Sequence, residues 1–496
     1  MRVPILLTAI WLAGPGLAFA DGSEAQSTRP NIIFLMSDDQ SVDTMGCYGN
    51  MDVKTPNLDK LAEGGMVFEN YYNTTAICMA SRATVFTGLY EYRTGCNFGH
   101  GHLQAETWEE FSYAVHLKEA GYLTAFAGKF GFVVQGANQS AAFDFWGSGG
   151  IQSKYETAQN RTMAKYAEEY PHSTLSYAAF AEDVMEAAVE KDKAFCLSIS
   201  FKAPHRPWTP DPQFDDLYTG FEFTRRANFG REHAAHLSEQ SKQGRQWERW
   251  TQWDYDDDFD AVMAQYHELI YGIDVAVGRI RESLERLGLA ENTVIIYTSD
   301  NGFLNGAHGF GGKVLPLEES ARAPLMVLDP REPAATGRSE ALVGNIDIAP
   351  TILDLAGVAV PEGMDGLSMV PVLKDPQADI REHMAFINAW PRHMENTSLT
   401  VLTEDWKYTW WWFAGDGMEP VEDLFNTKED PLELTNLAGD PAHEEMLQTM
   451  RTLYDHHLQA WKDNVVDYND YERFGTLFDR EISWNEKQPF LKAASE

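Results

Sequence analysis

Hydrophobic positions along this chain fall into two patterns that alternate from one end towards the other. Asn31–Ser37, Ala194–Phe201 and Thr293–Ser299 are short, continuous apolar runs without polar alternation. That pattern marks strands buried on both faces. Leu123–Ala127 and Pro324–Leu328 are weaker runs of the same kind. Between them, Thr107–Ala120, Leu175–Glu190, Ala261–Leu287 and Ile346–Ala356 place apolar residues at helical spacing. Strands alternating with helices predict an α/β fold, a large mostly parallel doubly wound sheet flanked by helices. Past about Pro371 the texture changes, with strand-like pieces at Leu399–Thr403 and Lys407–Phe413 and a final helix near Pro441–Trp461. We therefore expect a main α/β domain over residues 29–370 and a small C-terminal α+β subdomain with an antiparallel sheet over residues 371–480. In a strand, Trp410 and Trp412 share one face and Trp411 takes the other, so at least one of the three belongs to the core.

The residues that follow each apolar run carry the chemistry. The first run leads into Asp38-Asp39, the weaker one into Gly128-Lys129, the next into Lys202-Ala203-Pro204-His205, and the last into Asp300-Asn301-Gly302. Ligands of open α/β sheets bind outside the carboxyl ends of the strands. Four strands that deliver carboxylates, a lysine, a histidine and an Asp-Asn pair to one edge predict a site there. Each feature alone reads as an ordinary turn or rigid loop.

Composition narrows the partners. With 39 Lys+Arg against 75 Asp+Glu, the 496-residue chain carries a formal charge of −36. That balance excludes nucleic acid and an anionic membrane surface as partners. The first twenty residues, with Arg2, an apolar stretch from Ile5 to Leu12 and Ala18-Phe19-Ala20, read as a secretory signal peptide. A membrane anchor does not fit, because Gly14-Pro15-Gly16 interrupts a run already too short to span. The expected location is exported, periplasmic or secreted. Of the four cysteines, Cys47, Cys78, Cys96 and Cys196, the last lies inside an apolar run and reads as a core thiol, leaving at most one disulfide. Asn-x-Ser/Thr sequons occur at Asn73, Asn138, Asn160 and Asn396.

One segment names a family. Cys78-Met79-Ala80-Ser81-Arg82, trailing into Thr87-Gly88, resembles the signature of the formylglycine-dependent type I sulfatases of the alkaline-phosphatase superfamily. The resemblance continues in order through Lys54–Ala62, Asp300-Asn301-Gly302 with His308 and Lys313, Glu318–Leu325, Asp347–Gly357 and Asp430–Leu437. It implies a sulfuric ester hydrolase in which a maturation enzyme oxidises Cys78 to formylglycine (3-oxoalanine). The hydrated aldehyde attacks sulfur with one hydroxyl and expels sulfate through the other, a step no thiol completes. Asp38, Asp39, Asp300 and Asn301, beside residue 78 itself, look like the ligands of one hard cation, which the resemblance implies is calcium; their oxygen donors suit Ca²⁺ or Mg²⁺ better than Zn²⁺. The resemblance further implies that Arg82 orients the formylglycine, Lys129 and Lys313 clamp the sulfate oxygens, and His205 protonates the leaving oxygen.

Two departures from the family pattern bear on mechanism. Where the family often shows Gly-Lys-Trp-His, Lys129 is followed here by Phe130 and Gly131, so a histidine is missing. His100, His102 and His308 are the nearest candidates to replace it. Ala80 stands where Pro is commoner, which points to an oxygen-independent radical maturase rather than the aerobic formylglycine-generating enzyme. The expected substrate is a sulfated carbohydrate, with His100, His102, Trp208, Trp390, Arg392 and His393 as candidate contacts. Two other readings compete: an arylsulfatase or phosphodiesterase of the same superfamily, and a catalytically silent binder of sulfated glycans. Retention of Cys78, Arg82, both lysines and the acidic set favours the enzyme.

Overall fold

The computed structural model describes residues 29–332, 336–390 and 393–491. The candidate signal peptide and Arg392 lie outside these described residues. At the centre is an eight-stranded sheet: β1 (Asn31–Ser37), β2 (Met66–Phe68), β3 (Leu123–Gly128), β4 (Phe145–Ser148), β5 (Phe195–Ser200), β6 (Thr293–Ser299), β7 (Leu325–Leu328) and β8 (Gly337–Ser339). Their spatial order is β8-β2-β7-β6-β1-β5-β3-β4, and only β7 runs antiparallel to its neighbours. The five apolar runs of the sequence became strands of this sheet. β2, β4 and β8 are three or four residues long, too short to stand out as periodic signal. All seven residues of β1 and of β6 are buried, because helices cover both faces.

The helices include α1 (Pro56–Gly64), α2 (Cys78–Thr87), α3 (Ala105–Phe111), α4 (Tyr113–Glu119), α5 (Ser173–Glu190), α6 (Phe259–Arg286), α7 (Ile348–Leu355) and α8 (Glu444–Asn464). The single helix expected over Thr107–Ala120 is two, because Ser112 adopts extended backbone with ψ 122° and separates α3 from α4. Register is what positions the site. β1 pairs in parallel with β6 up to Ser37 opposite Ser299, and with β5 up to Met36 opposite Ser200. β3 pairs with β5 up to Gly128 opposite Ser200. Four strands therefore stop almost level, and the residues after each one share an edge.

The C-terminal region forms a four-stranded antiparallel sheet of β9 (Met384–Asn388), β10 (Ser398–Leu402), β11 (Trp406–Trp411) and β12 (Val421–Asn426), packed against α8. β11 ends at Trp411, so Trp410 and Trp412 do not share a strand face as expected. Trp411 and Trp412 are both buried, with indole N–H groups donating to Asp423 and Thr397. The tryptophan triplet is mostly core, not a stacking platform. All four cysteines are free thiols, in keeping with at most one disulfide. Three of the four sequons are closed to glycosylation, since Asn73, Asn160 and Asn396 are buried and only Asn138 is exposed.

A buried ion cluster ties this sheet to the main domain. Lys407 on β11 places Nζ 2.8 Å from Glu318 and 2.5 Å from Glu433, and the Glu433 carboxylate also accepts from the Glu318 backbone N–H. Lys407→Met leaves two buried carboxylates facing each other without their cation. It should destabilise the protein by about 3–5 kcal/mol, read as a fall in the denaturant midpoint. A second buried group makes stability depend on pH. His457 on α8 meets His383 at 3.0 Å, and burial, then His383 and His456, push its imidazole down to about 3 from an ordinary 6.5. Below pH 6.5 the unfolded chain takes up a proton that the folded chain refuses, so stability falls as pH drops. His457→Gln should flatten the fall in stability between pH 7 and 5 relative to the native protein. Parallel pH curves would contradict this assignment.

Candidate functional site

The level strand ends bring four charged side chains into one buried cluster, which Arg82 on α2 and the loop residue Lys313 complete. Asp38 and Asp39 follow β1, Lys129 follows β3, and Asp300-Asn301 follow β6. The Asp300 N–H donates to the Ser37 carbonyl and the Lys129 N–H to the Ser200 carbonyl, which fixes both residues against neighbouring strands. Asp39 adopts φ +70°, a left-handed turn that a non-glycine residue rarely takes, and Tyr266 O–H donates to its carbonyl at 2.6 Å. Val314, directly after Lys313, sits at φ +95° despite its β-branch. Strain of this kind persists only where surrounding contacts over-determine the conformation.

Cys78 opens α2, a helix buried at every residue, so the positive end of the helix dipole faces the cluster. Its Sγ lies 3.4 Å from Asp38 Oδ1 and accepts from Lys313 Nζ. One turn on, Arg82 donates through Nε to Asp300 Oδ2 at 2.9 Å, and through Nη1 to the Lys129 carbonyl at 2.7 Å and to Ser200 Oγ. Lys129 Nζ reaches Asp38 Oδ2 at 2.5 Å. Lys313 Nζ pairs with Asp39 Oδ1 and lies 3.2 Å from Asn301 Oδ1, while Asn301 Nδ2 donates to Asp39 Oδ1 at 2.8 Å. Three carboxylates thus face three cations, all six side chains buried.

The electrostatics follow from this packing. Burial works against ionised Asp38, yet Lys129, His205, Arg82 and Lys313 together hold it well below the usual carboxylate range. Asp300 is pushed up to about 6 by burial and by Asp38. Burial, then Asp38, pushes the Cys78 thiol up to about 12. As an unmodified cysteine, residue 78 is a neutral thiol and a weak nucleophile. The ligand atoms of Asp38, Asp39, Cys78 and Asp300 all lie within 4.8 Å of one another. With Asn301 alongside, this is a hard oxygen-rich donor set, and its residues fit a calcium-type cation.

His205 presents Nε2 at 3.8 Å from Asp39 Oδ2, while Nδ1–H donates to the Arg206 carbonyl. Burial pulls the imidazole down to about 4. Lys202, beside it, packs its ammonium 4.9 Å over the Tyr155 ring and is lowered by burial. Lys202 was not singled out from sequence, although it follows β5 directly and adds positive potential to the same edge.

Other sequence candidates part company with the cluster. His100 has one ring nitrogen on Asp470 and the other on the Ala389 carbonyl, both at 2.5 Å, so it is a structural clamp. His308 is fully buried between the His233 carbonyl and Asn228. His102 is exposed, and its ring makes no hydrogen bond among the described residues. His100 and His308 have both ring nitrogens engaged elsewhere, so neither replaces the missing histidine. His393 caps a short 3-10 turn without a side-chain hydrogen bond. Trp390 packs with Ile77, Ala80 and Val314 and lies 3.8 Å under the Arg245 guanidinium, so the alanine at position 80 completes an apolar wall behind Cys78. Trp208 lies under the Arg206 guanidinium at 4.7 Å.

Gly131, where the family pattern often has histidine, leaves no room for a side chain. It adopts φ +92°, and a Cβ there would stand 2.2 Å from Arg82 Cδ. Arg82 cannot yield, because Asp300, Ser200 and the Lys129 carbonyl pin its guanidinium. Gly131→Ala should cost about 1–3 kcal/mol, and Gly131→His at least as much, measured by equilibrium unfolding. An unchanged midpoint would show that Arg82 is free to move.

Comparison with known proteins agrees with this geometry. Residues 306–460 match the model described as N-sulphoglucosamine sulphohydrolase, C-terminal. An N-acetylglucosamine-6-O-sulfatase of Bacteroides thetaiotaomicron is 28% identical, covering 90% of this chain and 89% of that one. An extracellular sulfatase SULF-1 homolog of Drosophila melanogaster is 30% identical over 75% of this chain and 33% of its own length. A solved protein in complex with its substrate D-glucosamine-2-N,6-O-disulfate superposes with TM-score 0.71 at 26% identity, covering 88% of this chain and 99% of that one. The sulfatase family model matches residues 30–358, a span that contains every strand end feeding the cluster, and the chain belongs to the sulfatase family.

Proposed function

We propose that this sulfatase releases inorganic sulfate from a sulfated carbohydrate, using 3-oxoalanine at position 78 and one calcium ion held by Asp38, Asp39, Asp300, Asn301 and residue 78. The observation that carries the reading is the convergence of Cys78 with three carboxylates and three cations in one buried cluster. A relative by sequence is named an N-acetylglucosamine-6-O-sulfatase, and a solved structure of similar fold holds D-glucosamine-2-N,6-O-disulfate as its substrate, which supports the carbohydrate class. We read residues 29–370 as the catalytic domain and 371–480 as its C-terminal subdomain. The exported location rests on the leader-like first twenty residues. No helix among the described residues is long and apolar enough to cross a membrane.

The hydrated aldehyde supplies an oxygen nucleophile whose second hydroxyl lets sulfate leave. Calcium, when bound, supplies a Lewis acid that stabilises negative charge on oxygen. The remaining work falls to side chains of the chain itself. Arg82 locks Asp300 and spans to the β5 end, so the strand edges keep their spacing. Lys129 and Lys313 place ammonium groups where sulfate oxygens gain charge. His205 keeps Nδ1 protonated against the Arg206 carbonyl, which leaves Nε2 facing the cluster to deliver a proton to the leaving oxygen. An arriving sulfate ester gives the imidazolium a counter-charge and restores the basicity that burial removes. Cys78 is 4% exposed, so its maturase, aerobic or radical, acts before the fold closes. Ala80 leads us to favour the radical type.

The decisive measurement is the mass of the tryptic peptide Leu61–Arg82 from the native host. We expect 3-oxoalanine in place of Cys78 and sulfate release that chelation abolishes and Ca²⁺ restores. Unmodified cysteine in protein that still releases sulfate would overturn the proposed nucleophile.

A further inference from the structure

In a chain of net charge −36, two arginines beside the active centre form no ion pair with an acid among the described residues, although Asp254 acts on Arg206 and Asp39 on Arg249 at longer range. Arg206 follows His205 directly, and its guanidinium lies 4.6 Å from the Trp253 ring centre and 4.7 Å from that of Trp208. Arg249 lies 4.2 Å over the same Trp253 ring. Trp253 is itself stacked on Phe303, two residues past Asn301. Stacking satisfies the flat faces of a guanidinium but none of its five N–H donors. Neither arginine forms an ion pair or a side-chain hydrogen bond among the described residues, and both are half-buried.

Two glycines make room for Arg249 next to the reacting atoms. A Cβ on Gly312 would stand 2.4 Å from Arg249 Nη1, and one on Gly311 would stand 2.8 Å from Arg249 Cβ. Gly312 immediately precedes Lys313, whose Nζ touches Cys78. The charge of Arg249 also reaches Asp39. The two guanidiniums thus flank the cluster, one beside the His205 loop and one beside the Lys313 loop. Burial, with Arg245 next in effect, pulls Arg249 down to about 10, while Asp39 and Tyr255 act in the opposite direction. Placing like charges together without a counter-ion destabilises a fold, so such an arrangement persists where a ligand supplies the missing anion.

We propose that Arg206 and Arg249, held over Trp253, form a second anion subsite that takes a further sulfate or carboxylate on the same saccharide as the scissile sulfate. This rests on the sulfatase reading of the centre and narrows its substrate to sugars with at least two negative groups. The planar fork of each guanidinium matches a sulfate or carboxylate through paired N–H donors. Trp208 and Trp253 keep both forks from folding back onto surface acids.

The test uses the mature enzyme and three substrates: a singly sulfated hexosamine, the same sugar with a second sulfate, and the singly sulfated sugar linked to a uronate. The native enzyme should prefer one of the doubly charged substrates, and which one identifies sulfate or carboxylate as the second anion. Arg206→Gln and Arg249→Gln should each lower the kcat/KM ratio of doubly over singly charged substrate by roughly tenfold or more, chiefly through KM. Arg249→Lys, which keeps the charge and loses the fork, should fall between. Equal losses on all three substrates, or no preference in the native enzyme, would overturn the subsite while leaving the sulfatase reading intact. Calorimetry on Cys78→Ala separates the two ideas further, since it reads binding without turnover. Tighter binding of the doubly charged sugars, weakened by Arg206→Gln with Arg249→Gln, upholds the subsite even if no substrate releases sulfate.

Discussion

Three carboxylates buried within one cluster cannot stay ionised unless cations are built in beside them. Removing such groups from water costs several kcal/mol each, and their mutual repulsion adds to that. Asp38, Asp39 and Asp300 meet this constraint through Lys129, Lys313 and Arg82, each delivered by a different element. The rest of the architecture follows from the need to hold these six groups in register. β1, β6, β5 and β3 end level because their parallel pairing is in register to the last residues. Slipping one strand by a residue would mismatch the side chains packed on both faces and carry its charged group out of the cluster.

The C-terminal sheet serves the same constraint at one remove. Lys407, Glu318 and Glu433 join β11 to the short helix that follows the Lys313 loop. Glu433 lies in the Asp430–Leu437 segment and Glu318 in the Glu318–Leu325 segment, two stretches that carry the family resemblance without touching Cys78. Their shared role is to anchor the loop that presents Lys313. His100 acts similarly, bridging Asp470 in the C-terminal tail to the Ala389 carbonyl just past β9.

Charge around the centre is arranged in two shells of opposite logic. Inside, acids and cations balance, so that a divalent cation would leave a surplus of positive charge to meet an anionic ester. Outside, Lys202, Arg206 and Arg249 carry positive charge stacked on aromatic rings instead of paired with acids. At a formal −36 the surface as a whole repels a sulfated sugar, but that repulsion is screened over roughly 10 Å at ordinary ionic strength. The near field is what a bound substrate meets.

Much of this was legible in the sequence. Apolar runs in β1, β5 and β6 are long enough to register as buried strands, and the residues after them named the site before any geometry was available. The signature at Cys78–Arg82 identified the family because its chemistry needs those residue types at those spacings. The short strands β2, β4 and β8, the break at Ser112 and the burial of three sequons were not legible, since neighbours distant in the chain decide them. Position 131 shows the division most clearly. Sequence records only that a glycine stands where the family pattern often has histidine. The fold adds a positive φ and an Arg82 side chain that fills the space any Cβ would need. Arg206 and Arg249 are ordinary surface residues when read along the chain. They become candidates for recognition only when tertiary packing sets both over Trp253 and forms no ion pair with either among the described residues, because long-range proximity, not local pattern, determines which charges are paired.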